Sequence, residues 1–179
     1  MQRRDEQRAA AERAALAGVF GALSLLTLYI SAIVPTGRLG LVAAAGIFPA
    51  GAVVSGGLSA GFFCYGAAGL LGLLLLPDKA SALLYLLLFG LWPMMKSLIE
   101  GLRRLALEVL CKLLFLNGVL SLLWFGLRGV FLPFLPAALS QSWMVYLVGN
   151  VGFFIYDLGF SKLIAFYTVR VDKVLRKRG

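Results

Sequence analysis

Long apolar stretches follow one another along almost the whole chain, and only short turn-forming or charged segments separate them. A helix needs about 20 mostly apolar residues to cross the hydrocarbon core of a bilayer, so six such helices with the turns between them would use nearly the whole chain of 179 residues. Hydrophobic residues make up 61% of the chain and charged residues 14%, and a soluble domain of this length cannot bury so much apolar surface. The pattern predicts an all-α, polytopic membrane protein, a bundle of about six transmembrane helices.

Turn signals place the boundaries of the predicted helices. The sequence Pro-Thr-Gly at 35–37, Ser-Gly-Gly at 55–57 and Pro-Asp-Lys at 77–79 each fall between two apolar stretches, where proline and glycine interrupt a helix. Pro93 is expected to kink the fourth helix, and the proline-containing residues 128–141 to form an interfacial or re-entrant loop. The predicted spans are 14–34, 39–54, 58–76, 81–98, 105–127 and 142–167, within a transmembrane domain 14–168 flanked by a basic cytoplasmic N-terminal segment 1–13 and a basic cytoplasmic tail 169–179.

Lysine and arginine are distributed unevenly between the two sides of such a bundle. With an even number of spans, eleven of them lie on the side of both termini and three, Arg38, Lys79 and Arg128, on the other. Because cytoplasmic loops are enriched in lysine and arginine, we expect a multi-pass protein of the cell membrane with both termini cytoplasmic. The net charge of +9 is interpreted as this topology signal and as attraction to anionic lipids, and no nucleic-acid partner is predicted.

Small residues recur four positions apart at the start of the first predicted helix. Rows of this kind let helix backbones approach closely in lipid. Two interpretations remain open: the row packs inside the bundle, or it is a docking face for a helix of a partner protein. The residues of this candidate docking face are Ala10, Ala14, Gly18 and Ala22.

Polar and charged residues fall within the last three predicted spans. A charge inside a membrane costs at least about 2.5–3.5 kcal/mol unless it is paired or hydrated, so these side chains should face the bundle interior or the head groups. In one interpretation Lys96 with Glu100, and Glu108 with Lys112, form pairs one helical turn apart that neutralise themselves near the cytoplasmic interface. In the other, the residues form a polar relay or gate, with Asp157 as the deepest acid. The candidate intramembrane polar residues are Lys96, Glu100, Glu108, Lys112, Asn117, Asn150, Asp157 and Lys162.

Aromatic residues cluster near the predicted span ends. Trp92, Trp124 and Trp143 are expected to anchor the helices at the membrane interfaces. Near the outward loop, aromatic and amide side chains also form a candidate ligand-side set, because solute pockets are mostly apolar with a few placed polar groups. The members of this set are Phe131, Phe134, Gln141, Trp143 and Tyr146.

The residue types that enzymes and metal sites need are scarce. The chain has no histidine and only two cysteines, Cys64 and Cys111, both inside apolar stretches where they resemble small buried hydrophobes. No metal site, no cofactor and no catalytic residue is predicted, and a membrane-embedded enzyme is disfavoured because no nucleophile and base are clustered. No nucleotide-binding motif occurs, so any transport driven by ATP needs separate ATPases.

The first half of the chain resembles the substrate-binding (S) components of energy-coupling factor transporters. The resemblance covers 14–77: an alanine-rich first helix after a basic N-terminus, an outward turn at 35–37, and a glycine-rich helical hairpin. It implies an uncharacterised relative of these components: a six-helix, non-enzymatic subunit that captures a vitamin-like or other small micronutrient for ATP-driven import. Its partners would be a membrane coupling subunit, docked on the row from Ala10 to Ala22, and cytoplasmic ATPases. The alternative is a non-transporting membrane scaffold or envelope-assembly protein that recruits partners through its basic ends.

Overall fold

Helices joined by short turns make up the protein. The computed structural model describes residues 2–34, 36–102, 104–131 and 141–176. Two helices contain a π-turn, the first at Tyr85–Phe89 and the second at Leu122–Gly126. The α-helices are α1 (Gln2–Ile33), α2 (Arg38–Ala45), α3 (Ile47–Leu75), α4 (Lys79–Leu84), α5 (Trp92–Glu100), α6 (Leu105–Ser121), α7 (Arg128–Phe131) and α8 (Ser142–Arg176).

Five helical stretches among the described residues are long and apolar enough to cross a membrane, in keeping with a multi-pass membrane protein. They are Ala10–Ile33, Arg38–Leu75, Lys79–Glu100, Leu105–Gly126 and Ser142–Arg170. The second has 38 residues, which would extend for about 57 Å as one straight helix, well beyond the hydrocarbon core of about 30 Å.

The long second stretch reverses direction at Gly57. This residue has φ +83° and ψ 178°, a backbone conformation that glycine adopts without strain. Beyond it, a methyl group placed on Gly61 would overlap Cγ2 of Val53 and lie 3.5 Å from the carbonyl oxygen of Pro49. Residues before and after Gly57 therefore pack side by side, and the predicted reversal at 55–57 is confirmed.

Both arms of this hairpin pack on α1, and their contacts run in opposite directions. Ala17 lies in a buried cluster with Ala52, while Ser24, two turns later on α1, bonds to Ala45, so the arm at 38–56 is antiparallel to α1. The arm at 58–75 is parallel to α1, because residues further along α1 contact residues further along this arm. The contacts that establish the parallel direction are those of Gly21 with Cys64 and of Leu28 with Gly72.

Charged side chains mark the two ends of residues 1–98. At one end the side chain of Arg13 passes within 3.7 Å of the position that a methyl group on Gly56 would take, at the hairpin turn. At the opposite end Arg38 lies 3.6 Å from Asp78, which joins the start of α2 to the turn before α4. The first 98 residues thus form four arms that alternate in direction: α1, 38–56, 58–75 and the stretch from Lys79.

The fourth arm is broken, as Pro93 predicts. Proline has no N–H to donate to the carbonyl four residues earlier, which here belongs to Phe89. The chain adopts the first π-turn immediately before this point, and the amide of Gly90 donates to the carbonyl of Tyr85 over 2.7 Å. The regular helix resumes at Trp92.

The chain divides into two units, residues 1–98 (unit 1) and 99–179 (unit 2). Unit 2 contains α6 and α8, which run antiparallel: Ser121 meets Tyr146, and Lys112 meets Asp157. The side chains of Trp92 and Trp124 are buried within their units, whereas Trp143 is exposed. The two buried side chains fill packed interior because their apolar area is large, and anchoring at the membrane interfaces stays a prediction.

Candidate functional site

Polar side chains connect α6 to α8 at three successive levels, and we name this arrangement the polar ladder. Its rungs are Lys112–Asp157, Asn117–Asn150 and Ser121–Tyr146. The members recur every four, five or seven residues along each helix, which keeps them on one face of a helix with 3.6 residues per turn. Because the two helices are antiparallel, the facing stripes meet rung by rung.

The charged rung is an ion pair within two membrane-spanning stretches. The Nζ atom of Lys112 lies 2.6 Å from Oδ2 of Asp157 and 3.4 Å from Oε1 of Glu100. The side chains of Lys112 and Asp157 are 12% and 9% exposed, whereas that of Glu100 is 45% exposed. The ammonium therefore joins a buried carboxylate of α8 to an exposed one at the end of α5.

The middle rung is a reciprocal pair of amides. Asn117 donates to Oδ1 of Asn150 over 3.3 Å, and Asn150 donates to Oδ1 of Asn117 over 3.2 Å. Each Nδ2 also donates to a carbonyl one turn earlier on its own helix, that of Leu113 or of Tyr146. Both amides thus use their two N–H groups and one oxygen lone pair inside the helix pair.

The third rung is a hydroxyl pair, and an apolar layer separates the first two rungs. Ser121 Oγ and the Tyr146 hydroxyl share a hydrogen bond of 2.7 Å. Between the charged rung and the amide rung, the side chains of Leu116 and Phe153 are buried. Apolar side chains therefore lie between the charged rung and the amide rung.

This arrangement joins the two helices while keeping the side chains of Lys112 and Asp157 largely buried. Opposite charges at 2.6 Å compensate each other where the dielectric constant is low, and amide and hydroxyl bonds add interhelical attraction that apolar contacts with lipid do not supply. Among the described residues, no group of three or more histidine, cysteine, aspartate or glutamate side chains could hold a metal ion.

Five of the eight predicted intramembrane polar residues lie in the ladder or contact it. Lys112 reaches Asp157 and Glu100, which are 45 and 12 residues away. Its partners are distant in sequence because the rotation of α6 about its axis points Lys112 toward α8. The predicted pairs one helical turn apart, Lys96 with Glu100 and Glu108 with Lys112, stay predictions.

The other three predicted polar residues lie outside the ladder. Lys96 is buried in unit 1, with its ammonium 5.9 Å from the ring centre of Trp92. Glu108 is half-buried near the start of α6, and Lys162 is exposed on α8, where its long side chain can reach the head groups. Spacing within one helix could not indicate the ion pair of the charged rung, because its two residues lie in different helices.

The structure describes the side chains of three of the five candidate ligand-side residues, and the ligand site they were predicted to form stays a prediction. The indole N–H of exposed Trp143 donates to Oε1 of Gln141 over 2.7 Å, and Tyr146 belongs to the third rung of the ladder. Phe131 is the last residue of α7, and Phe134 lies outside the described residues.

The small-residue row on α1 is open. Ala10, Ala14, Gly18 and Ala22 are exposed, and a methyl group on Gly18 would have no heavy atom within 4 Å. The face of α1 that packs on α3 contains Ala17 and Gly21 instead. Within unit 1, α1 therefore packs on α3 through this neighbouring row of small residues and not through the row from Ala10 to Ala22.

Sequence analysis missed two polar clusters in unit 1. Asp78 accepts from the amide of Ala80 and the hydroxyl of Ser81 at the start of α4, while Lys79 donates to the carbonyls of Leu73 and Leu76 at the end of α3. The Pro-Asp-Lys signal at 77–79 could have predicted this double cap, because aspartate favours helix starts and lysine favours helix ends.

The second missed cluster contains hydroxyl groups buried between helices. Ser24 bonds to the carbonyl of Ala45 over 2.9 Å and lies 3.0 Å from the hydroxyl of Tyr85. The Tyr65 hydroxyl donates to the carbonyl of Leu86 in the first π-turn over 2.9 Å. Serine and tyrosine are common in apolar helices, so nothing in their spacing indicates these partners.

Comparison with known proteins adds no relative. No protein-family model matches this chain, and the searches of curated proteins and of solved structures return no match either.

Proposed function

We propose that this protein is the membrane-embedded, solute-binding subunit of an importer that separate ATPases drive, in the manner of the S components of energy-coupling factor transporters. The solute would be a vitamin-like compound or another small micronutrient. The chain itself would catalyse no reaction. Its partners would be a membrane coupling subunit, the cytoplasmic ATPases and anionic lipids around its basic ends.

The observation that carries this proposal is the open small-residue row on α1. The helix has small residues on two faces, and only the face with Ala17 and Gly21 is used inside unit 1. The other face exposes Ala14 and Gly18, although leucine is the common exposed residue elsewhere in the apolar helices. An open row of this kind lets a second backbone approach closely, which is what docking on a coupling subunit requires.

The proposal also includes the topology. The reversal at Gly57 makes two crossings of the 38-residue stretch, so the five apolar stretches correspond to six crossings of the cell membrane. An even number leaves both termini on one side, and the lysine and arginine distribution favours the cytoplasm for that side. Arg13 beside the hairpin turn at Gly56 fits this assignment, because both would then be cytoplasmic.

Co-purification tests the proposal. The full chain is expressed in its host with a tagged energising module, as wild type and as the variants Ala14→Trp and Gly18→Trp. We expect the wild type to bring down the coupling subunit and the ATPases, and each tryptophan variant to lose most of that recovery, because an indole on the open row prevents close approach of a second backbone.

Leu23→Trp is the matched control. Leu23 lies on the same helix and is also exposed, but it is five residues from Gly18 and therefore about 140° away around the helix axis. The Leu23→Trp variant should therefore recover as much coupling subunit and ATPase as the wild type. Failure of the folded, monodisperse wild type to recover either partner, or equal loss in the control, would contradict the proposal.

The scaffold remains a second candidate because both end helices extend beyond a bilayer. Helix α8 has 35 residues and α1 has 32, which correspond to about 50 Å each, against a core of about 30 Å. Basic helical extensions of this length suit recruitment of partners. The scaffold predicts that truncation after Arg170, and not tryptophan on the α1 row, abolishes partner recovery.

A further inference from the structure

Two of the four arms of unit 1 are interrupted by breaks. The second arm breaks between α2 and α3, where the amide of Gly46 donates to the carbonyl of Ala43, three residues earlier, over 3.2 Å. The fourth arm breaks at the first π-turn, where Gly90 donates to Tyr85, five residues earlier. Neither bond has the four-residue spacing of a regular α-helix.

The two breaks face each other. A methyl group on Gly46 would overlap the carbonyl oxygen of Phe89, so the backbone of one break lies directly on the backbone of the other. Phe89 is also the residue whose carbonyl loses its regular helical donor because Pro93 has no N–H. The irregular backbone of each arm is therefore covered by the other arm, as structure inside a membrane requires.

Buried hydroxyl groups tie the breaks together. Ser24 of α1 donates to the carbonyl of Ala45 in the first break and lies 3.0 Å from the hydroxyl of Tyr85 in the second. Both side chains are fully buried. Ser24 thus reaches both breaks, and it lies on a helix that is itself unbroken.

The region is filled rather than hollow. A methyl group on Gly90 would come within 2.7 Å of the Tyr85 ring, and one on Gly69 would overlap Leu86. A solute therefore finds no room between these residues in the described conformation. Interrupted helices that are packed this tightly are suited to bending, not to holding a ligand.

We propose that Ser24 and Tyr85 couple the two breaks into one joint, at which the second and fourth arms of unit 1 bend together against the rigid α1. The three-residue bond at Gly46 has the poorer geometry of a 3₁₀ turn, so backbone opening starts there at the lowest cost. When the first break opens, the carbonyl of Ala45 moves, and when the π-turn opens, the ring of Tyr85 moves. Either movement disturbs the hydrogen bonds of Ser24 and thereby loosens the other break. This joint does not depend on the importer proposal and stands or falls separately from it.

Amide hydrogen exchange of the full chain in lipid nanodiscs tests the joint. In Ser24→Ala, we expect exchange to accelerate about fivefold in both segments 43–47 and 86–91, the effect of losing a typical net hydrogen bond. Ser31→Ala is the matched control, because Ser31 is equally buried on the same helix but bonds only to Leu28 of its own turn. The control should leave both segments at the wild-type rate.

Tyr85→Phe and the double variant with Ser24→Ala complete the test. Because the two hydroxyls belong to one network, each single variant should accelerate both segments, and the double variant should accelerate them by less than the product of the two. Acceleration confined to the segment nearest each mutation, or fully multiplicative effects, would overturn the joint. Equal acceleration in Ser31→Ala, or uniform acceleration throughout unit 1, would overturn it as well by indicating general destabilisation.

Discussion

The two units hold their helices together by different means. In the first three of the five long apolar stretches, 28%, 33% and 56% of the most apolar 18 residues are buried, against 11% and 17% in the last two. Unit 1 achieves its packing with glycine and alanine, as at Gly21, Gly61 and Ala17. Unit 2 relies on the polar ladder, which connects α6 to α8 with far less burial.

The two units illustrate two ways in which helices can associate in a membrane. Lipid tails are as apolar as leucine, so apolar side chains alone give helices no reason to associate in a membrane. Close backbone approach increases dispersion contacts, and this requires small residues at every crossing. Buried polar groups attract each other across a wider gap, because in lipid they have few other partners.

The largest expected effect is in the charged rung of the ladder. Asp157→Leu leaves the ammonium of Lys112 without its buried partner, and we expect a loss of about 3–5 kcal/mol in the free energy of unfolding. The double variant with Lys112→Met should recover most of that loss, because no charge is then stranded. Denaturant unfolding in detergent micelles measures both.

Lys162→Met is the control for the charged rung, since Lys162 lies in the same helix but is exposed. A single substitution at Asp157 that costs no more than this control would mean that the ion pair does not stabilise unit 2, and the contrast between the units would lose its main support.

The second largest effect is expected in unit 1. Gly46→Ala forces a methyl group against the backbone carbonyl of Phe89, which cannot rotate away as a side chain can, and should cost about 1–3 kcal/mol. Gly118→Ala and Gly152→Ala in unit 2 place their methyl groups in open space and should be neutral or slightly stabilising. Equal effects in all three variants would remove the packing difference between the units.

A smaller effect is expected at the amide rung. Replacing both Asn117 and Asn150 by leucine should cost about 0.6 kcal/mol and at most about 1.7 kcal/mol, the range for hydrogen bonds between membrane helices. Either single replacement should cost more than the pair, because it leaves one buried amide unsatisfied. Simple additivity of the two single variants in the same unfolding assay would contradict a reciprocal bond.

The smallest effect is expected at the hydroxyl rung. Tyr146→Phe removes one bond to Ser121 and should lower the unfolding free energy by about 0.6 kcal/mol. Tyr29→Phe, on an exposed ring of α1, serves as the control for loss of a hydroxyl group. If both variants unfold alike, the third rung contributes nothing to unit 2.

Much of the architecture could be predicted because it depends on local sequence. The reversal at 55–57 and the break before Pro93 follow from the backbone properties of glycine and proline, and the structure confirms both. The helices extend beyond the predicted spans: α1 begins at Gln2 and α8 continues to Arg176, because a helix does not end where its apolar stretch ends.

The site was predicted less well because its partners are distant in sequence. One-turn spacing led to pairs within a helix, yet Lys112 bonds to Asp157, 45 residues away. Likewise, the sequence drew attention to the row from Ala10 to Ala22, whereas Ala17 and Gly21 of a neighbouring row pack on α3. Which face of a helix meets another helix depends on its rotation, and apolar composition on all sides leaves that rotation undetermined.

The sequence by itself determined the class of protein, the positions of its turns and the residue types buried in lipid, because length, hydrophobicity and the backbone limits of glycine and proline act locally. Only the tertiary structure decided which polar groups meet: the ladder of unit 2, and the facing breaks that Ser24 joins in unit 1. In a chain with 61% hydrophobic residues nearly every face can contact lipid, so close packing and a few buried polar bonds select the arrangement.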